Sequence, residues 1–186
     1  MPESFDIEFE KALRMLVAHL PVSHEGAKKP VLLHCVRVGT YLYENNYSRD
    51  AVLAGLLHDA LEWSGITDEL VRAEFGETVL QLVKANTKDR SIENSDERIE
   101  ELAKRAAEAG HDALIIRAAD TLDSFKHYTK TNNLPELEYC RKNAKAIFKF
   151  KSDDFTDGVF EELGAFNMEV HKLEAVIDGN AEELLK

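Results

Sequence analysis

The sequence predicts an all-α protein, and three observations predict it. Apolar residues recur at intervals of three and four along almost the whole chain, the period of a helix with one buried face. No stretch alternates apolar and polar residues at period two for long enough to make a strand. Helix-capping residues sit between the periodic segments. Ser48, Thr67 and Ser95 stand where an N-cap oxygen would accept from free amides, and Gly76, Gly110 and Gly179 stand just past helix ends.

In chain order, Leu13, Leu16, Val17 and Leu20 mark a first helix, and Val31, Cys35, Val38 and Leu42 a second. Val52, Leu53, Leu56, Leu57 and Leu61 predict a third that continues through "AGLLHDALEWSG", Ala54 to Gly65. Leu70, Val71 and Phe75 follow, then Val79, Leu82 and Val83, then Ile99, Leu102 and Ala106, then Leu114, Ile115, Ala118 and Leu122. Two more helices are expected around Leu137 to Phe150 and Val159 to Ile177. The longest polar connection, "TKDRSIENSD" from Thr87 to Asp96, reads as a loop of the kind that carries function.

The 186 residues suffice for a single domain over 1–186 with a sizeable core. There is no repeat, low-complexity tract or linker rich in Pro, Gly or Ser. No apolar run approaches the roughly 18 residues that span a bilayer, so no membrane partner is expected. The start, "MPESFDIEFEKALRML", is acidic and lacks the apolar core of a signal peptide. With Cys35 and Cys140 on helical patterns and no CxxC pair, a reducing, cytoplasmic setting is expected. A formal charge of −12 argues against nucleic acid polymers, which are held by clustered Lys and Arg. It leaves room for a small phosphorylated ligand, because a bound cation and a few local basic residues can reverse the potential in one pocket.

On one helix, His58 and Glu62 would be four residues apart and Asp59 and Glu62 three, sharing a sector otherwise occupied by leucine. A carboxylate buried among apolar groups normally pairs or binds a metal. Two other apolar segments supply partners: "KPVLLHCVRVG" carries His34, and "LIIRAADTLDSF" carries Asp120. Two imidazoles and two carboxylates suit one divalent ion such as Mn²⁺, Fe²⁺, Co²⁺ or Zn²⁺. A second His-Asp pair, His111–Asp112, follows Gly110 and reads as structural, with Asp112 favouring a helix N-terminus. Arg37, one turn past His34, could reach a phosphate or pair with an acidic neighbour, and Lys88 and Arg90 carry the same two readings. Trp63 either fills the core or stacks on a base at a pocket rim. His19, His24, His127 and His171 match no ligand position.

The ordered set His34, His58–Asp59, Asp120 resembles the HD-domain metal-dependent phosphohydrolases, with their H…HD…D signature. More narrowly, the block "AGLLHDALEWSGITDELVRAEFGETVLQLVKANTKD" and "IIRAADTLDSF" resemble the hydrolase domain of the RelA/SpoT family and its stand-alone small alarmone hydrolases. The resemblance covers about the first two thirds of the chain. It implies an all-helical HD-domain bundle and one divalent ion, usually manganese, held by His34, His58, Asp59 and Asp120. It also implies hydrolysis of the 3′-pyrophosphate of guanosine tetra- or pentaphosphate, with Glu62 orienting or deprotonating the attacking water.

The chain departs from that family at positions that meet substrate. Trp63 stands where an aspartate usually follows the glutamate. The loop "SHEGAKKPVLLH" offers Lys28 and Lys29 but no tyrosine, and Thr121 and Ser124 replace a basic residue and an asparagine. Lys28, Lys29, Arg37, Thr121 and Ser124 are the candidate substrate contacts. Three readings stand: an alarmone hydrolase with altered contacts, an HD phosphohydrolase acting on another nucleotide or phosphoester, and a catalytically silent metal-binding module. The segment from Leu134 on lies outside the resemblance and reads as helices covering the core, with exposed faces that could support a homodimer.

Overall fold

The computed structural model describes residues 4–21 and 26–177, with side chains as far as residue 168. Ten α-helices and no strands are found among them. They are α1 (Phe5–His19), α2 (Val31–Glu44), α3 (Arg49–Leu57), α4 (Ala60–Trp63) and α5 (Asp68–Phe75), followed by α6 (Glu77–Asn86), α7 (Ser95–Ala109), α8 (His111–Thr131), α9 (Leu134–Phe150) and α10 (Gly158–Ile177). His24 and Gly179 lie outside the described residues, as does the side chain of His171.

The caps largely follow the sequence. Ser48 Oγ accepts from the Ala51 amide and Thr67 Oγ1 from the Leu70 amide, while Gly76 and Gly110 adopt φ of 94° and 114° where helices end. The cap of α7 is Asn94 rather than Ser95. Its side-chain oxygen accepts from the amides of both Asp96 and Glu97, so the helix begins at Ser95.

The packing centres on α8, which contacts α2, α3, α6, α7, α9 and α10. Ala113 to Leu122 of α8 are buried without a break, as expected of a helix with neighbours on every side. That makes its buried polar residues Arg117, Asp120, Thr121 and Ser124 costly unless partnered. Alongside it, α2 crosses α3 at very close range. A Cβ on Gly39 would lie 2.3 Å from Leu56 Cγ and 3.3 Å from Leu56 Cα, and one on Gly55 would lie 2.4 Å from Leu42 Cδ1. The two hydrogen side chains let these backbones approach, and α2 and α3 are the elements that bring His34 and His58 together.

The expected helix through Ala54–Gly65 is instead two, α3 and α4, separated by His58 and Asp59. His58 remains near helical geometry (φ −57°, ψ −33°), whereas Asp59 turns to φ −94°, ψ −2°. The imidazole stitches the break: His58 Nδ1 donates to the Gly55 carbonyl at 2.8 Å, satisfying an acceptor at the end of α3.

Candidate metal centre and cavity

His34 on α2, His58 and Asp59 at the α3–α4 break, and Asp120 on α8 are all buried and converge. His34 Nε2 lies 3.1 Å from His58 Nε2, 2.9 Å from Asp120 Oδ1 and 3.9 Å from Asp59 Oδ2. His58 Nε2 lies 3.5 Å from Asp59 Oδ2 and 3.8 Å from Asp120 Oδ1. Both rings have their other nitrogen committed outward, His34 Nδ1 donating to Asp123 Oδ2 at 2.6 Å and His58 Nδ1 to Gly55. That network assigns the Nδ1–H tautomer to each ring and leaves an Nε2 lone pair on each, aimed at the other. Two buried lone pairs 3.1 Å apart repel unless a cation lies beside them; the Lys29 ammonium lies 2.9 Å from His34 Nε2, and the chemistry of the donor set, two imidazoles and two carboxylates, fits a divalent ion in the same place.

The electrostatics are consistent with that fit. Burial lowers the His58 pKa against the pull of Asp59 and Asp120, which favours the neutral ring a metal requires. Burial alone would raise Asp59, but the positive charge available around it, from His58 and His34 when protonated and from the Lys88 ammonium, holds its carboxyl low. Asp120 is likewise held well below the usual carboxylate range against the cost of burial, by Arg117 and Lys29. A second group, Cys35, His58 and Asp59, also clusters closely enough to share an ion. Burial pushes the Cys35 thiol well up, and the charges of Asp59 and Asp120 push it further, so the N/O set is the better-prepared one.

Asp59 and Asp120 open onto a cavity of about 190 Å³ whose lining also includes Lys28, Lys29, Trp63, Lys88, Arg117, Thr121 and Ser124. Arg90 lies over the Trp63 ring at the rim, 4.9 Å from its centroid. Trp63 is thus half in the core and half in the cavity wall.

Glu62 is buried behind Lys88. Its Oε1 accepts from the Lys88 amide at 2.7 Å, and its Oε2 lies 3.5 Å from Lys88 Nζ and 3.6 Å from Arg90 Nη2. Oε2 finds no hydrogen-bond donor among the described residues. A buried carboxylate oxygen with spare accepting capacity is a place for water.

Of the sequence-predicted contacts, Lys28, Lys29, Thr121 and Ser124 line the cavity. Arg37 does not: its Nε and Nη2 fork onto Asp123 at 2.6 and 2.8 Å, the ion-pair alternative. The Thr121 hydroxyl is turned back to the Arg117 carbonyl. Sequence reasoning misses Asp123, although its place one turn beyond Asp120 puts it on the same sector. It misses Arg117 too, one turn before Asp120. The Arg117 guanidinium contacts Asp120 Oδ2 at 2.8 Å, and a charge inside "LIIRAAD" is a visible signal. The largest omission is α9, whose sequence reads only as core cover. Glu136, Tyr139, Cys140 and Asn143 recur at three and four and form a wall of the cavity.

A family model described as HD domain matches residues 12–149, and so includes α9. A guanosine-3′,5′-bis(diphosphate) 3′-pyrophosphohydrolase of Aquifex aeolicus is 28% identical over 141 residues, 65% of this chain and 20% of that protein. One from Borreliella burgdorferi is 31% identical over 120 residues, 62% of this chain and 17% of that protein. The zebrafish (Danio rerio) enzyme of the same name, MESH1, is 30% identical over 60% of this chain and 57% of its own. The chain therefore spans about a fifth of the length of the two bacterial relatives. Among solved structures, a metazoan orthologue of SpoT superposes with a TM-score of 0.67 at 20% identity, over 91% of this chain and 97% of that one. The protein lmo0812 of Listeria monocytogenes gives 0.64 at 22% identity, over 75% and 94%.

Proposed function

Because the chain belongs to the HD domain family, we propose that it is a metal-dependent phosphohydrolase, with guanosine-3′,5′-bis(diphosphate) as the first substrate to test and pyrophosphate as the product released. The observation that carries this reading is the pairing of two inward Nε2 lone pairs with two cavity-facing carboxylates. His34, His58, Asp59 and Asp120 would hold the ion, and the N/O donors suit Mn²⁺. When bound, such an ion supplies Lewis-acid polarisation of a phosphoryl oxygen and lowers the pKa of water.

The chain's own side chains supply the rest. Lys28, Lys88 and Arg117 face the cavity as phosphate-binding cations. Arg117 arrives pre-aimed, its Nη2 fixed on Asp120 while its Nε has no acceptor of its own among the described residues. Glu62 is the proposed base. The Lys88 amide fixes one of its oxygens and leaves the other to take a proton from an attacking water. Burial by itself would lower the Lys88 pKa, but Asp59 and Glu62 outweigh it and raise it, so the residue stays cationic beside the reaction.

A second reading has its own support. Three of the positions at which the chain departs from the alarmone hydrolases, Trp63, Thr121 and Ser124, line the cavity. The cavity, at about 190 Å³, is also below the roughly 300 Å³ at which drug-sized ligand sites begin. Both observations favour a smaller phosphorylated substrate. Incubating Mn²⁺-loaded protein with guanosine tetraphosphate beside nucleoside mono- and triphosphates separates the two. Pyrophosphate from the tetraphosphate alone selects the first reading, and phosphate from another nucleotide the second. Silence on every substrate would sink both.

A further inference from the structure

We propose that the Lys29 ammonium holds the cation's place in the metal-free protein and, once displaced by the ion, becomes the phosphate-facing cation of the cavity. The inference rests on the metal-centre reading above. Lys29 sits on the loop immediately before α2, and its Nζ donates to His34 Nε2 at 2.9 Å and to Ser124 Oγ at 2.5 Å. It also lies 3.4 Å from Asp120 Oδ1. Two of those three atoms are ones that would coordinate an ion, and an ammonium has three protons to spend on three such partners.

Occupancy by lysine and by metal is therefore exclusive. The His34 Nε2 lone pair either accepts a proton from Lys29 or binds an ion, because a nitrogen in an imidazole ring has one lone pair in the plane. The two cations on Asp120 divide its carboxylate, Arg117 taking Oδ2 and Lys29 taking Oδ1. Only Oδ1 faces the histidines, so a divalent ion replaces Lys29 and leaves Arg117 where it is. Without either occupant, two carboxylates and two facing lone pairs would share a buried space with one compensating charge fewer, which is costly.

Where the displaced ammonium goes is set by the fold. Lys29 already lines the cavity beside Lys28, and its side chain is only 15% exposed while it is engaged with His34. A flexible four-carbon stem on a loop can swing its head group into that space. The ammonium is thus freed from His34 and Asp120 to meet an anion only after the ion is loaded, which orders anion binding after metal binding. An occupant that fills the site about nine-tenths of the time weakens apparent metal affinity about tenfold.

The test uses the full chain stripped of metal. Mn²⁺ affinity is measured by competition with a chromogenic chelator for wild type, Lys29→Met and Lys29→Gln, with circular dichroism to establish that both variants fold. Both should bind Mn²⁺ about tenfold more tightly than wild type. In parallel, wild-type lysines are pulse-labelled with an amine-acylating reagent and read by mass spectrometry, with the exposed Lys130 as reference. Labelling of Lys29 should rise several-fold on adding Mn²⁺ and fall again when inorganic phosphate is added. Equal or weaker Mn²⁺ binding by folded variants, or Lys29 labelling indifferent to Mn²⁺, overturns the proposal while leaving the hydrolase reading to the turnover assay. Exposure by Mn²⁺ without protection by phosphate overturns its second half. If neither wild type nor variants bind Mn²⁺, the metal centre fails and this inference with it.

Discussion

Replacing Asp123 by asparagine keeps the shape of the side chain and removes its charge. The carboxylate accepts from His34 Nδ1 at 2.6 Å and from the Arg37 fork at 2.6 and 2.8 Å, so every partner is a donor. An amide has one oxygen and one NH₂, so it cannot satisfy all three donors. If the oxygen takes the Oδ2 place it keeps His34 Nδ1 and Arg37 Nη2, now without charge assistance, and the NH₂ meets Arg37 Nε. If it turns to Arg37, the NH₂ meets the His34 N–H and pushes the ring toward the tautomer whose Nε2 carries hydrogen, which cannot ligate. Arg37 is 35% exposed and can recover water, whereas His34 is fully buried, so the His34 bond carries most of the loss. A charge-assisted bond in that setting is worth about 1.5–3 kcal/mol, and losing a partner behind a metal ligand commonly costs about 10–100-fold in affinity. Asp123→Asn should therefore lower urea stability of the metal-free protein by about 2 kcal/mol and Mn²⁺ affinity by at least about tenfold. Arg37→Ala, which leaves the His34 bond in place, should change Mn²⁺ affinity far less. A folded Asp123→Asn protein with Mn²⁺ affinity within about twofold of wild type would refute the argument that Asp123 sets the tautomer of His34.

Three further outcomes are expected. Gly39→Ala should destabilise by about 1–3 kcal/mol, and Gly55→Ala by less. The added methyl at position 39 meets Leu56 close to its backbone, whereas at position 55 its one tight contact is with the far end of the Leu42 side chain. Thermal unfolding of the two variants checks the order. Glu62→Gln should keep the acceptor for the Lys88 amide and keep Mn²⁺ binding, yet lose turnover by about 10²–10⁴-fold if Glu62 is the base; undiminished turnover would remove it from that role. Cys140 is 2% exposed, and its thiol is pushed up to about 12, first by burial. Native protein at about pH 8, near the ordinary thiol range, should therefore resist iodoacetamide at Cys140 until denatured, and rapid native alkylation would contradict the packing of α9.

The helices are legible because a buried face leaves the same three-and-four spacing wherever it occurs, from Leu13 in α1 to Leu122 in α8. The break at His58–Asp59 is not, because "LLHDALEW" keeps that spacing straight through it. At the break the His58 side chain bonds the Gly55 carbonyl, and the His58 and Asp59 side chains both turn into the cluster, contacts that spacing along the chain does not encode. The four candidate ligands can be found because histidine and aspartate inside apolar runs are conspicuous. Asp123 and Arg117 act on them from one turn away, and their roles follow from which way α8 faces α2, a tertiary fact. The contribution of α9 depends likewise on its docking against α8, and nothing within "LPELEYCRKNAKAIFKF" distinguishes a cavity wall from a solvated stripe.

Net charge shows the same separation between what a sum can and cannot say. At −12 the chain as a whole repels polyanions, yet Lys28, Lys29, Lys88 and Arg117 line the cavity against only Asp59, Asp120 and Glu136. Many of the other carboxylates, such as Glu10, Glu77 and Glu108, are exposed, lie outside that lining and are offset by neighbouring cations. Salt screens such charges over about 8–10 Å, while charges within a few ångströms of one another in a low-dielectric pocket are screened much less. The potential inside is therefore set by the lining and, on the proposed reading, by the cation that the histidines would hold. One divalent ion would shift a nearly balanced lining decisively positive, so on that reading metal loading is the step that would give this acidic chain affinity for a small anion.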